Sequence, residues 1–241
     1  MDRAATIIPG RGVGNRLLAL AVAHLTTKKP SVGWHINYEC KADWKDLFSS
    51  PTLDIHSCDE KTYKMFADRL NSIMSIKTKM HDFLQSSHNR AEKPTALVSF
   101  YKSLKPSKKV KKLILDIPPD TLGLHLRLQD HLQMQSEKYY LDRVQKIHKD
   151  LGYPKVFICG DTQYKKNELV NLFSDDKLII NYTNLSNLIK VGQESVDRDS
   201  LGGMQLAVAE MFTLAKCTWI VPNSISSFSM SSFFMGKAQL L

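Results

Sequence analysis

The sequence predicts an α/β protein in two halves. Three observations carry that expectation. The chain opens with a strand, a glycine turn, a helix and a second strand. A second alternation of strands and helices begins after residue 112. Between the two lies "YKSLKPSKKVKK" (101–112), a lysine run with Pro106 that reads as a solvated linker and domain boundary. The predicted domains are therefore 1–112 and 113–241.

Each element has a local reason. "AATII" (4–8) is apolar and β-prone, which suits a short buried strand. In the helix predicted from about Asn15 to Thr26, Leu17, Leu18, Leu20, Ala21 and Leu25 supply the apolar face. "SVGWHINY" (31–38) suits a second strand, and 60–104 reads as mostly helical. In the second half, "LGLHLRL" (122–128) alternates leucine with Gly123, His125 and Arg127, the period of a half-buried strand. A helix over 134–150, the strand "KVFICG" (155–160), a helix over 163–173 and the strand "KLIIN" (177–181) follow. A helix over 203–216, the strand "CTWIVP" (217–222) and a serine-rich turn opening a last helix complete the pattern. In a parallel α/β layer the ligand belongs beyond the carboxyl ends of the strands.

Composition bounds the rest. In 241 residues, 43% hydrophobic and 24% charged, there is enough apolar material for a core, which argues against general disorder. No apolar run is long enough to span a bilayer, and the N-terminal stretch breaks at Pro9 and Gly10. A soluble, cytoplasmic protein is the expectation, or a lumenal one if a membrane anchor has been cut away. Cys40, Cys58, Cys159 and Cys217 are scattered without a C-x-x-C pair, so reduced thiols are expected rather than a zinc site or disulfide framework. The sequons at Asn181 and Asn184 carry little weight without a signal peptide. The net charge of +9 invites a nucleic-acid reading, but six of the lysines fall in 101–112, where aromatic residues are not interleaved for base stacking. No nucleic-acid partner is expected.

Four stretches can carry chemistry. In "HLRLQD" (125–130), Asp130 follows Arg127 closely enough to pair with it. The cluster is either a structural His–Arg–Asp group or a diphosphate site in which the planar guanidinium binds two oxygens at once. In "PNSISSFSMSSFF" (222–234), Ser224, Ser226, Ser227 and Ser229 either cap a helix or form a phosphate seat with the helix N–H groups. "CGDTQY" (159–164) puts Asp161 at a strand end, as a helix cap or as a partner for a base or ribose. "DRD" (197–199) has the spacing of a metal-holding D-x-D, but such short acidic patterns are common and no metal is expected. As a dinucleotide fingerprint, "GRGVGNR" (10–16) has Asn15 where glycine is required, with Glu39 as the ribose partner. Its glycines more readily serve a sharp turn that leaves Asn15 and Arg16 facing a cleft.

In order along the chain, these residues resemble the fucosyltransferase-type glycosyltransferases, which include the Nod-factor, core α-1,6- and protein O-fucosyltransferases. "GRGVGNRLLALAVAHL" is similar to their G-G-x-G-N-R/Q opening, and "VGWHINYECKADWKDLF" to their second strand and F-x-D-L-F segment. "HLRLQD" resembles H-x-R-x-x-D, "VFICGDTQ" the strand ending in an acidic step, and "AVAEMFTLAKCTWIVPNSISSFS" the final helix, strand and serine loop. Leu128 departs from the pattern by standing where many members carry a second arginine, and the chain lacks room for large acceptor-binding insertions.

The resemblance implies a compact GT-B-like fold, two Rossmann-like domains facing a cleft, and an inverting transferase that needs neither metal nor cofactor. The donor would be a nucleoside-diphosphate sugar, GDP-fucose before a UDP-sugar, and the acceptor a glycan hydroxyl. Arg127 would hold the diphosphate, His125 line its pocket and Asp130 support the arginine. Asp161 would lie near the nucleoside, and Ser226 and Ser227 on phosphate. Gly12, Asn15 and Arg16 would sit across the cleft, near acceptor or donor. His131, Glu137 and Glu39 are the candidate general bases. Competing classes are an NAD(P)-dependent oxidoreductase and a non-catalytic sugar-nucleotide-binding protein.

Overall fold

A computed structural model describes residues 6–7, 12–26, 31–37, 40–49, 54–58, 95–126, 137–160, 169, 171–173, 179–180, 200–222 and 226–241. The chain is mixed α/β and forms two compact units, Met1–Leu113 with Asp199–Val208, and Ile114–Arg198 with Ala209–Leu241. The return of 199–208 to the first unit has no counterpart in a single division at residue 112.

Unit 1 is built on a parallel sheet of β1 (Thr6–Ile7), β2 (Ser31–His35) and β3 (Asp54–Cys58), paired in that order. Helix α1 (Val13–Thr26) buries Leu17, Leu18, Leu20 and Ala21, the face its periodicity predicts. Asp43 caps the short α2 (Trp44–Leu47) through a capping box with Asp46. Trp34 meets Trp44 edge-on at 5.4 Å, Trp44 stacks on Phe48 at 4.4 Å, and the Trp34 indole donates to the Ala42 carbonyl at 2.9 Å.

The lysine run is not the free linker expected. Its first residues end α3 (Thr95–Ser103), and α4 (Lys108–Lys111) follows with Ser107 as its cap. The Ser107 hydroxyl donates to the Asp46 carbonyl at 2.8 Å, and the Ser49 N–H donates to the Lys105 carbonyl at 2.9 Å. Tyr101, Leu104 and Val110 are buried while all six lysines stay exposed. Apolar anchors three and six residues apart dock the segment, and the charges merely occupy its outer side.

Unit 2 holds a five-stranded parallel sheet of β4 (Thr121–Leu126), β5 (Lys155–Gly160), β6 (Ile179–Ile180), β7 (Trp219–Pro222) and β8 (Gln239–Leu240). Its spatial order is β6-β5-β4-β7-β8. Counted within the unit this is 3-2-1-4-5, a doubly wound order that reverses direction between β4 and β7. The face with Leu122, Leu124 and Leu126 packs with Val156, Ile158 and Val221 against Tyr140 and Val144 of α5 (Glu137–Asp150). On the other face Leu214, the last residue of α6 (Leu201–Leu214), covers Gly123.

β4 therefore differs from the half-buried strand its alternation suggests: every residue from Thr121 to Leu126 is buried. A central strand of a parallel sheet is covered on both faces, so glycine and histidine alternate with leucine because of what packs above them. The last helix, α7 (Ser227–Met235), runs back along the unit after β7.

Candidate functional site

A doubly wound sheet leaves a crevice beyond the strand ends where its order reverses, because the adjoining connections leave toward opposite faces. In unit 2 that place is the carboxyl end of β4 and β7. His125 lies there, in register with Cys159 of β5 and Pro222 of β7.

The serine segment follows directly from β7. Ser226 is the N-cap of α7: its hydroxyl accepts from the Ser229 N–H at 3.3 Å and lies 3.0 Å from the Ser229 hydroxyl. The cap role and an anion seat are compatible, since one hydroxyl satisfies only part of a helix's amino end and the remaining N–H dipoles favour negative charge. Further along, the Ser231 hydroxyl donates to the Ser227 carbonyl at 2.7 Å and that of Ser232 to the Phe228 carbonyl at 3.3 Å. The extra serines thus satisfy themselves along their own helix.

Phe228 ties the two pieces together. Its ring stacks on the His125 imidazole at 4.7 Å and 17°. The structure thereby brings His125, Ser226 and Ser227 to one end of unit 2. Ser227 and His125 are both buried and Phe228 half-buried. Sequence reasoning does not single out Phe228; the only available signal is its place among the serines opening the helix.

The glycine-turn residues belong to unit 1. Gly12 precedes α1 and its carbonyl accepts from the Arg16 N–H at 3.2 Å, while Asn15 is half-buried in the first turn. Arg16 is fully buried. Its guanidinium donates to the His35 carbonyl at 2.6 Å and to the Asn37 side-chain oxygen at 3.0 Å, and lies 5.0 Å over the Trp34 ring. Asn37 in turn exchanges two backbone hydrogen bonds with Cys40, each 3.1 Å. The arginine thus fixes the turn leaving β2, a role the sequence alone does not announce.

Arg127, Asp130, His131, Asp161, Glu39 and the D-x-D stretch lie outside the described residues; Glu137 opens α5, with its side chain outside them. Arg127 is the residue immediately after β4. Cys40, Cys159 and Cys217 carry free, buried thiols. Among the described residues, no helix is long and apolar enough to cross a membrane.

No family model matches the chain, and no curated protein does. Among solved structures it is similar to NodZ alpha-1,6-fucosyltransferase co-crystallised with GDP, at 16% identity and TM-score 0.61, covering 97% of this chain and 93% of that one. It is also similar to fucosyltransferase NodZ from Bradyrhizobium, at 15% and 0.58, covering 97% and 94%. A mutant of Arabidopsis thaliana FUT1 in complex with GDP matches at 14% and 0.55, covering 98% of this chain and 70% of that one. At these identities the likeness is one of fold, and the fold is that of fucosyltransferase-type glycosyltransferases.

Proposed function

We propose that the chain is an inverting glycosyltransferase that moves a sugar, best L-fucose from GDP-fucose, to a glycan hydroxyl without a metal. In this reading the architecture is GT-B-like and the two halves are Rossmann-like. The donor is assigned to 113–241 and the acceptor to 1–112. The observation that carries it is the junction of His125 with the amino end of α7 where the sheet order reverses. The fold likeness supports the choice of ligand, since a neighbour of the same fold is co-crystallised with GDP.

The acceptor oxygen attacks the anomeric carbon, the bond from that carbon to the diphosphate breaks, and the hydroxyl proton passes to a base. Negative charge grows on the departing diphosphate. Arg127, at the end of β4, and the N–H groups opening α7 would meet it, with Asp130 holding the arginine and Asp161 nearer the nucleoside. His131, Glu137 and Glu39 are the residues to test as the base.

Calorimetric titration with GDP, UDP and NAD(P) tests the ligand class. GDP should bind, UDP more weakly, and NAD(P) not at all; GDP at 100 times its Kd should raise stability by about 2.7 kcal/mol. Binding of NAD(P) in place of GDP overturns the reading in favour of an oxidoreductase. GDP binding without any turnover of GDP-sugars leaves a sugar-nucleotide-binding protein instead.

A further inference from the structure

The lysine segment of unit 1 takes no part in the reaction proposed above. No acidic residue occurs between Glu92 and Asp116. In α4, Val110 is buried while Lys108, Lys109 and Lys111 are exposed, and Lys112, also exposed, continues the helical backbone as the C-cap. At about 100° per residue these four lysines fall within an arc of roughly 160°, centred opposite Val110. They span only about 6 Å along the axis. Like charges so close together repel one another and destabilise the turn that carries them.

The surroundings do not relieve that repulsion. Asp43 caps α2 and pairs with Lys45 at 3.6 Å, the Asp46 carboxylate accepts from the Asp43 N–H at 3.2 Å, and Asp116 lies 4.0 Å from Lys216. Among the described residues, Lys102, Lys108, Lys109, Lys111 and Lys112 have no acidic partner. The segment is nevertheless held still. The Ser107 N–H donates to the Leu47 carbonyl at 3.0 Å, its hydroxyl donates to the Asp46 carbonyl at 2.8 Å, and Pro106 bridges to Phe48. A segment needed only for solubility gains nothing from this anchoring.

The chemistry of the array selects its partner. Its charges are all lysines, compact ammonium groups without the planar fork that arginine offers a particular phosphate. Phe100 and Tyr101 are buried, so the segment presents no aromatic face to a base. A single polyanion strand is tracked by a charged groove, whereas these four charges form the outward side of one helical turn. None of the exposed large hydrophobic residues lies in 101–113, so nothing there enters an acyl layer. What remains is attraction to a broad, dense field of negative charge, such as a bilayer rich in anionic lipid presents.

We propose that this lysine face docks unit 1 on a membrane surface carrying anionic lipid headgroups, by charge alone and reversibly. The inference is independent of the function proposed above.

The test is co-sedimentation of the full chain with vesicles of phosphatidylcholine alone, and of phosphatidylcholine and phosphatidylserine in equal parts. Wild type should bind the mixed vesicles at about 0.1 M salt and leave them at about 1 M, where the screening length falls to about 3 Å. It should not bind phosphatidylcholine alone. Lys108→Gln, Lys109→Gln, Lys111→Gln and Lys112→Gln together should weaken binding about fivefold per lysine, on the order of 10²–10³ in all. This variant should melt no lower than wild type, because the repulsion is gone. Replacing the same four residues by arginine should preserve binding. Should the four-glutamine variant not fold, Lys109→Gln with Lys112→Gln should still lose about 25-fold, and unchanged binding overturns the proposal. Equal binding of both vesicle types, or equal binding by wild type and the four-glutamine variant, also overturns it. So does release by inorganic phosphate at matched ionic strength, which would mark a site for single phosphates. Tighter binding to single-stranded RNA or heparin than to the mixed vesicles would overturn it in favour of a soluble polyanion.

Discussion

Arg16 shows how much one side chain can hold in place. A guanidinium reaches a carbonyl, an amide oxygen and an indole face from a single position, and no other side chain has that fork. Arg16→Ala would leave the His35 carbonyl and the Asn37 amide short of a buried partner. It should cost about 3 kcal/mol in urea unfolding, with Arg16→Lys recovering only part. A loss below about 0.5 kcal/mol would refute the role. Cys217 offers a second measurement, because burial pushes its thiol up from an ordinary 9.0 to about 12. The folded state then keeps the proton when the unfolded state has lost it. The thiol's stabilising effect is complete below about pH 9 and is lost as pH rises toward about 12. Cys217→Ala should flatten that part of the stability-against-pH curve, measured by denaturant midpoints; an identical fall in both proteins contradicts the assignment. The burial of Arg16 is scarcely legible in the sequence, since nothing local tells a buried charge from an exposed one.

At the scale of elements, the strands of unit 2 are read well from pattern and their burial is read poorly. The leucine period of β4 is explicit, but the reason His125 sits opposite those leucines is a helix and a phenylalanine far along the chain. β5 and β7 are short apolar runs bounded by turn residues, which is why their ends fall close to those expected. β3, α2 and β8 escape because their sequences carry no strong period. The carboxyl ends of β4 and β5 also approach too closely for a side chain at residue 160. A methyl group on Gly160 would stand 2.6 Å from the Leu126 carbonyl oxygen, and that backbone cannot move without opening the sheet. Gly160→Ala should destabilise the protein by about 1–3 kcal/mol in thermal or urea unfolding. A neutral result would show that the two strands separate freely beside the candidate site.

On the scale of the whole chain, a charge run ending at residue 112 is legible and lies beside the end of the first unit's main segment at Leu113. The return of 199–208 is not, since α6 shows one continuous apolar pattern while the division falls inside it, at Val208. The strand order of unit 2 is likewise invisible to any local period, because long-range packing sets it, yet that order singles out the end of β4 as the place for a ligand. The account stands or falls on whether a guanidinium there stabilises a leaving diphosphate. The direct measurement is the rate of GDP release from GDP-fucose with a glycan acceptor, for wild type and Arg127→Ala of equal thermal stability. The account predicts measurable turnover in wild type and a loss on the order of 10²–10³ in the variant. Near-normal turnover by Arg127→Ala would contradict it.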